Sequence, residues 1–408
     1  CALPICILNM GLFLKIGSMF IVGITGLSPE GYALPVVMTG LLSLVLIYTV
    51  LGGMISVIIT DYIQFVVLSV GIILTTLWGI HQLGWDTIFA TVVQYKQEAG
   101  FNPFMEGEFG TEYVLWMAFL GLVGCGVWPT AVARALAMES TTAVKRQYMW
   151  SSVSFTIRFM VPYFWGICAF VFIMTQAPDL KELFFAPETN PAADPELSPL
   201  YALPVYLGRL LPAGLIGVIS AAMIAAFMST HDSYLLCWSS VITQDIISPL
   251  RRKPLTVGQR VNLTRVLIVV IGLYILGWGL FYEGGDAIWD YMAITGAIYF
   301  TGAFALLAGG IYWKRASTAG ANCALVAGAS AIFGLEPVRV PMVKLAGHSV
   351  GREFSRTEAA EFFSSAQIGI GSVILTCLVF VVVSLFFPDQ PAKDSVVDWD
   401  QESEGEPV

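Results

Sequence analysis

Residues 34–54, 57–80, 261–280 and 368–387 each approach the roughly 20 apolar residues that carry an α-helix across a hydrocarbon core of about 30 Å. Backbone N–H and C=O groups find no water in lipid, so runs of this length fold as helices that pair those groups internally. A closed β-barrel would show short alternating segments instead, and no such dyad pattern occurs. The rest of the chain agrees: 57% of the residues are hydrophobic, 12% are charged, and the mean hydropathy is +0.77, outside the range of a water-soluble domain. An all-α integral membrane protein follows.

The same reading extends to ten segments, at 2–24, 33–54, 57–80, 114–129, 149–174, 213–242, 261–280, 292–313, 316–335 and 368–387. Their connections sort by charge. Arg134, Lys145 and Arg146 fall in one, Arg251, Arg252, Lys253 and Arg260 in a second, and Lys314 and Arg315 in a third, which the positive-inside rule makes cytoplasmic. The alternate connections are acidic: 81–112 holds Asp86, Glu98, Glu106, Glu108 and Glu112 against Lys96, and 176–204 holds five acids against Lys181. If the first segment runs outward, the chain ends inside. The expected organisation is a transmembrane domain at 1–387 and an acidic, disordered cytoplasmic tail at 388–408. The segment 336–361 balances four basic against four acidic residues and reads as a loop.

The net charge of −9 arises largely in outer loops and the tail, and no basic patch interleaved with aromatics points to nucleic acid. Cys1, Cys6, Cys125, Cys168, Cys237, Cys323 and Cys377 stand singly in or beside apolar segments, the pattern of small packing residues rather than metal ligands. The chain enters an apolar segment directly at Cys1, without a charged n-region, which predicts an N-terminal truncation rather than a signal peptide.

The most informative segment is 214–245. Ala226, Ser229, Thr230 and Ser233 fall at i, i+3, i+4 and i+7, one stripe on a helix. A hard monovalent cation such as sodium takes oxygen ligands, as calcium does, and hydroxyls with freed carbonyls supply them. Such hydroxyls also bond back to the i−4 carbonyl or join neighbouring helices. Asp232 shifts the balance, because an intramembrane carboxylate is costly and needs a cation or a donor beside it.

A second group lies at Tyr48 to Gly53 and at Thr60, Asp61 and Gln64. Gly52-Gly53 permits a tight connection between helices, after which Asp61 and Gln64 share a face; Thr60 and Asp61 are equally good capping residues. Arg158 stands mid-segment and must face protein or a water-filled cavity, as a structural ion pair or a substrate contact. Lys15 either snorkels or pairs within the bundle. His231 reads as a packing or donor residue.

Taken together, Lys15-Ile16, Tyr48 to Gly53 with Thr60-Asp61 and Gln64, Arg134 to Ala137, Met228 to Ser233, Ser239 to Asp245 and Gly310 to Ala316 resemble, in order and spacing, the sodium/solute symporter family, and in pattern its sodium/sugar branch. The resemblance implies a leucine-transporter-like inverted-repeat fold, about ten transmembrane helices present, a start near the third core helix, and the first core helices missing. It implies a multi-pass protein of the plasma (inner) membrane, with sodium ion, a small-molecule solute and the lipid bilayer as partners. Its sodium site maps to the carbonyl of Ala226 and the hydroxyls of Ser229 and Thr230. The additional sodium site of some members maps to Asp61, Ser229, Asp232 and Ser233, with Asp232 where the sugar branch often has Ser. Among substrate positions, Arg158 matches a basic sugar contact four residues before Pro162. Gly121, Gly124 and Ala293 stand where sugar-transporting members have a binding Asn, a gating Tyr and a Gln. The lost polar groups argue against a hexose, and Arg158 argues for an anionic solute.

The function expected is sodium-coupled symport of a small organic solute. Proton coupling through Asp61 or Asp232 and a non-transporting sensor of the same fold are the alternatives. An enzyme ranks last, since no HExxH, no GxSxG and no clustered His and acidic residues occur in the segments.

Overall fold

Gly53 adopts φ 62° and ψ −163°, a backbone region essentially confined to glycine. It breaks what would be one long helix into α2 (Ala33–Gly53) and α3 (Ile55–Leu83), as the Gly52-Gly53 pair predicts. The computed structural model describes residues 2–389 except 29–30, 106–109, 186–196, 252, 283–287, 350–351, 353, 356–357 and 360–361. Expectations for Cys1, Glu106, Glu108, Arg252, the middle of the 176–204 loop and the tail beyond Asp389 therefore lie outside the described residues.

The helices run α1 (Ala2–Thr25), α2, α3, α4 (Trp85–Lys96), α5 (Gly110–Val127), α6 (Pro129–Leu136), α7 (Thr141–Thr175), α8 (Pro178–Phe184) and α9 (Ala202–Leu210). They continue with α10 (Ala213–Val241), α11 (Val257–Phe281), α12 (Ile288–Tyr312), α13 (Thr318–Gly328), α14 (Glu336–Ser349) and α15 (Ser365–Phe386). Among the described residues nine helices are long and apolar enough to cross a membrane, or ten if a bent pair in the C-terminal part counts as one span. The starts have local causes. Ser140 caps α7 and Ser317 caps α13, while Thr256 with Gln259 and Ser364 with Gln367 form capping boxes on α11 and α15.

The chain divides into two units, Cys1–Thr295 and Gly296–Val408. In the first, α10 packs along α2 and α3 and also meets α1 and α11. One core gathers Phe20, Leu68, Trp165, Phe172, Tyr206 and Ile219, another Met10, Leu42, Leu235, Ile268 and Ile275. α1 crosses α11 where a Cβ on Gly279 would stand 2.7 Å from the Gly11 carbonyl, a small-residue crossing of the kind that lets membrane helices approach. The opposite face of α3 leaves Ile55, Ile59, Ile63, Val66 and Ile73 exposed, which suits a lipid environment. Lys15 pairs within the bundle: its Nζ donates to the Tyr282 carbonyl at 2.6 Å, where the C-terminus of α11 is negative.

The second unit packs α13 on α15 and adds a departure from the sequence reading. The segment 316–335 forms α13 and a 3₁₀ stretch, Ala329–Gly334, then turns through 82° into α14. Residues 336–349, read as loop, are helical even with Pro341 inside; their low hydropathy hid them. The charge-sorted connections also need correction. Arg134 lies in α6 and Lys145 and Arg146 in the first turns of α7, because these helices continue past their apolar stretches.

Candidate ion and substrate site

The predicted stripe shares one cavity. Ala226, Ser229, Thr230 and Ser233 of α10 line a space of about 450 Å³, together with Asp61, Gln64 and Phe65 of α3, Thr130 and Arg134 of α6, and Arg158 of α7. The hydroxyls of Ser229 and Thr230 both donate to the Ala226 carbonyl, at 3.1 and 2.9 Å. That is the back-bonding available to any helical Ser or Thr, and it also gathers three oxygens. Ligand oxygens held about 2.3–2.6 Å from one hard cation stand about 3 Å or more from each other. The observed separations therefore fit such an ion with little movement.

Asp61 sits well inside α3, beyond the helix start at Ile55, so it does not cap; Thr60 donates to the carbonyls of Ser56 and Val57 instead. Arg134 Nη2 donates to Asp61 Oδ2 and to Ser233 Oγ, both at 2.6 Å. Ser233 Oγ in turn lies 2.7 Å from the Ser229 carbonyl and 3.0 Å from Asp232 Oδ1. Asp232 is fully buried and accepts from Tyr48 Oη at 2.5 Å. The donor that a buried carboxylate requires is thus a tyrosine on α2. One chain of polar groups runs Asp61, Arg134, Ser233, Asp232, Tyr48. Asp61 Oδ1 and Gln64 Oε1 are buried without a donor, two acceptor oxygens at the cavity wall.

Arg158 lies with Cζ 5.5 Å from the Phe65 ring centroid, a cation–π distance, and forms no ion pair among the described residues. The lining carries two guanidinium groups against the single carboxylate of Asp61. Gly121 and Gly124 lie on α5 and Ala293 on α12, and none of the three is among the residues lining this cavity. His231 spends both ring nitrogens on carbonyls, those of Phe227 at 3.0 Å and Met10 at 3.1 Å.

Two contributors escaped the sequence reading. The charge pattern puts Arg134 in a connection, and Tyr48, inside the apolar segment 33–54, carries no assigned partner. Tyr48 has a signal of its own, a hydroxyl in an apolar segment while a buried carboxylate elsewhere lacks a donor. Arg134 has a weaker one, a cation one short turn after Pro129.

A family model described as sodium:solute symporter family matches residues 6–328. The chain belongs to this family. Its members are transporters. A sodium/glucose cotransporter of Vibrio parahaemolyticus is 26% identical over 345 residues, 78% of this chain and 60% of that protein. The sodium/sialic acid symporter SiaT of Proteus mirabilis is 27% identical over 316 residues, 73% of this chain and 59% of its own length. A sodium/proline symporter of Haemophilus influenzae is 24% identical over 71% of this chain and 55% of its own length. The chain thus spans between half and two thirds of the length of these curated relatives. A solved structure of a Na+-coupled sialic acid symporter, substrate-bound and outward-open, aligns with TM-score 0.69 and 20% identity over 95% of this chain and 74% of that one. The leucine-transporter-like membrane fold is therefore shared.

Proposed function

We propose that this symporter chain couples inward sodium movement to uptake of a carboxylate-bearing solute across the plasma membrane. The observation that carries the proposal is the convergence of the Ala226 carbonyl and the Ser229 and Thr230 hydroxyls on a cavity that also contains Arg158. Sodium, the co-transported substrate, takes these three oxygens. Its binding favours the state that accepts solute from outside, and solute then permits closure and inward release. The coupling is the difference in sodium affinity between the two states.

A second sodium would draw on Asp61, Ser229, Asp232 and Ser233. Arg134 already holds Asp61 Oδ2 and Ser233 Oγ, whereas Asp61 Oδ1 is without a donor. The second ion therefore takes the free oxygen and loosens the Arg134 contact.

Two guanidinium groups against one carboxylate make the cavity lining cationic, and a planar guanidinium binds a carboxylate through two parallel bonds. Gly121, Gly124 and Ala293 lie outside this lining and supply none of the polar side chains that sugar-transporting members have at those positions. Sialic acid and proline, for which two of the relatives are named, both bear a carboxylate.

The test is uptake into vesicles at fixed pH, with and without an inward sodium gradient, for carboxylate-bearing solutes and for glucose. Sodium-dependent uptake of a carboxylate solute is expected, with Arg158→Gln raising KM by roughly tenfold to a hundredfold, the weight of one charged hydrogen-bonded contact. Preference for glucose would end the anionic-solute reading. Because Asp232 is wholly buried among hydroxyl donors, a carboxyl group carrying a proton is the competing reading. Uptake driven by a pH gradient in sodium-free buffer would favour it.

A further inference from the structure

The second unit contains a cavity of about 520 Å³ lined by Phe333 and Arg339, by Val343 of α14, and by Phe354, Phe362 and Phe363. Its size is that of a small-ligand site, about 300–1,000 Å³, and its walls are almost entirely apolar. Arg339 is the exception. It is only 8% exposed, and its Nη1 reaches two neutral acceptors, the Gly334 carbonyl and Ser365 Oγ, each at 3.3 Å. Its Nε is buried with no partner, and no described carboxylate forms an ion pair with it. The other cation of the lining, Arg352, lies with Cζ 4.6 Å from the Phe354 centroid and is exposed to solvent. A buried guanidinium without a counter-charge is unfavourable, and here it faces an apolar cavity.

The 82° bend between Gly334 and Glu336 creates this arrangement. It ends the α13 segment and lays α14 across it, bringing Arg339 back against the last carbonyls of the 3₁₀ turn. Met342, Phe362 and Phe363 are exposed at the cavity's edge.

We propose that this cavity binds a single-chain anionic amphiphile, a long-chain fatty acid whose carboxylate meets Arg339 and whose chain lies among the phenylalanines. The carboxylate supplies a counter-charge that no described residue provides and an acceptor for Nε. The cavity volume suits one acyl chain rather than the two of a phospholipid.

The experiment measures binding of a fluorescent fatty acid, dansyl-undecanoate, to the full chain in phosphatidylcholine nanodiscs, with palmitate, hexadecanol and phosphatidylglycerol as competitors. Palmitate should displace the probe, hexadecanol should do so roughly tenfold to a hundredfold less well, and Arg339→Gln should weaken probe binding by the same factor. Val343→Trp, which fills the cavity and leaves Arg339 its protein contacts, should abolish binding while the protein still unfolds cooperatively. Equal displacement by palmitate and hexadecanol, or undiminished binding in either variant, overturns the proposal. Displacement by phosphatidylglycerol as effective as that by palmitate overturns the single-chain occupant. Because the cavity is remote in sequence from Ser229 and Thr230, these outcomes do not depend on the coupling mechanism.

Discussion

Replacing Arg134 by Gln should destabilise the protein by about 2 kcal/mol, and most of that loss should vanish when Asp61 is replaced as well. The figure follows from the geometry. Unit charges about 4 Å apart attract by about 4 kcal/mol at an effective dielectric constant near 20. The two side chains are 37% and 22% exposed, so solvent screens part of that. The pair falls between an exposed ion pair, worth about 0–1 kcal/mol, and a buried pair, whose breaking costs about 3–5 kcal/mol. Arg134 also donates to Ser233 Oγ, which loses a partner in the variant. For a chain of this size about 2 kcal/mol corresponds to roughly 2–4 °C in the unfolding midpoint. The assay is a double-mutant cycle on Arg134→Gln, Asp61→Asn and the double variant, followed by thermal unfolding in detergent. Each single change should lower the midpoint, and the double variant should be no worse than the weaker single one, a coupling of about 2 kcal/mol. Losses that simply add, with a coupling below about 0.5 kcal/mol, would show that the 2.6 Å contact carries no energetic weight and that Asp61 does not depend on Arg134.

Two further outcomes are expected. Gly53→Ala places a side chain at φ 62° and ψ −163° and should cost about 1–3 kcal/mol of stability in thermal unfolding, whereas Gly40→Ala, in a helix with open space around it, should not destabilise. Lys15→Met removes the donor at 2.6 Å from the Tyr282 carbonyl and should cost about 1–3 kcal/mol, measured as a lower unfolding midpoint; an unchanged midpoint would mean that water replaces the ammonium group at the end of α11.

Features governed by local pattern were legible in the sequence. The Gly52-Gly53 pair announced the break between α2 and α3, and 3.6-residue periodicity put Ala226, Ser229, Thr230 and Ser233 on one face, which lines a common cavity. What escaped depends on distant partners or on weak hydropathy. Arg134 meets Asp61 from 73 positions away, and a rule that sends basic residues to cytoplasmic loops cannot tell a solvated arginine from one folded back on a carboxylate. Tyr48 reaches Asp232 across 184 positions; the need for a donor was readable, its identity was not. The bend after Gly334 was hidden because α14, with Pro341 and several charges, lacks the apolar run by which its neighbours were found.

Direct binding of radioactive sodium to the purified protein tests whether oxygens of α10 hold the ion. Saturable binding is expected, which Ser229→Ala and Thr230→Ala each weaken by about tenfold, the effect of losing one hydrogen-bonding ligand of about 1.4 kcal/mol. Sodium affinity unchanged in both variants would contradict that assignment.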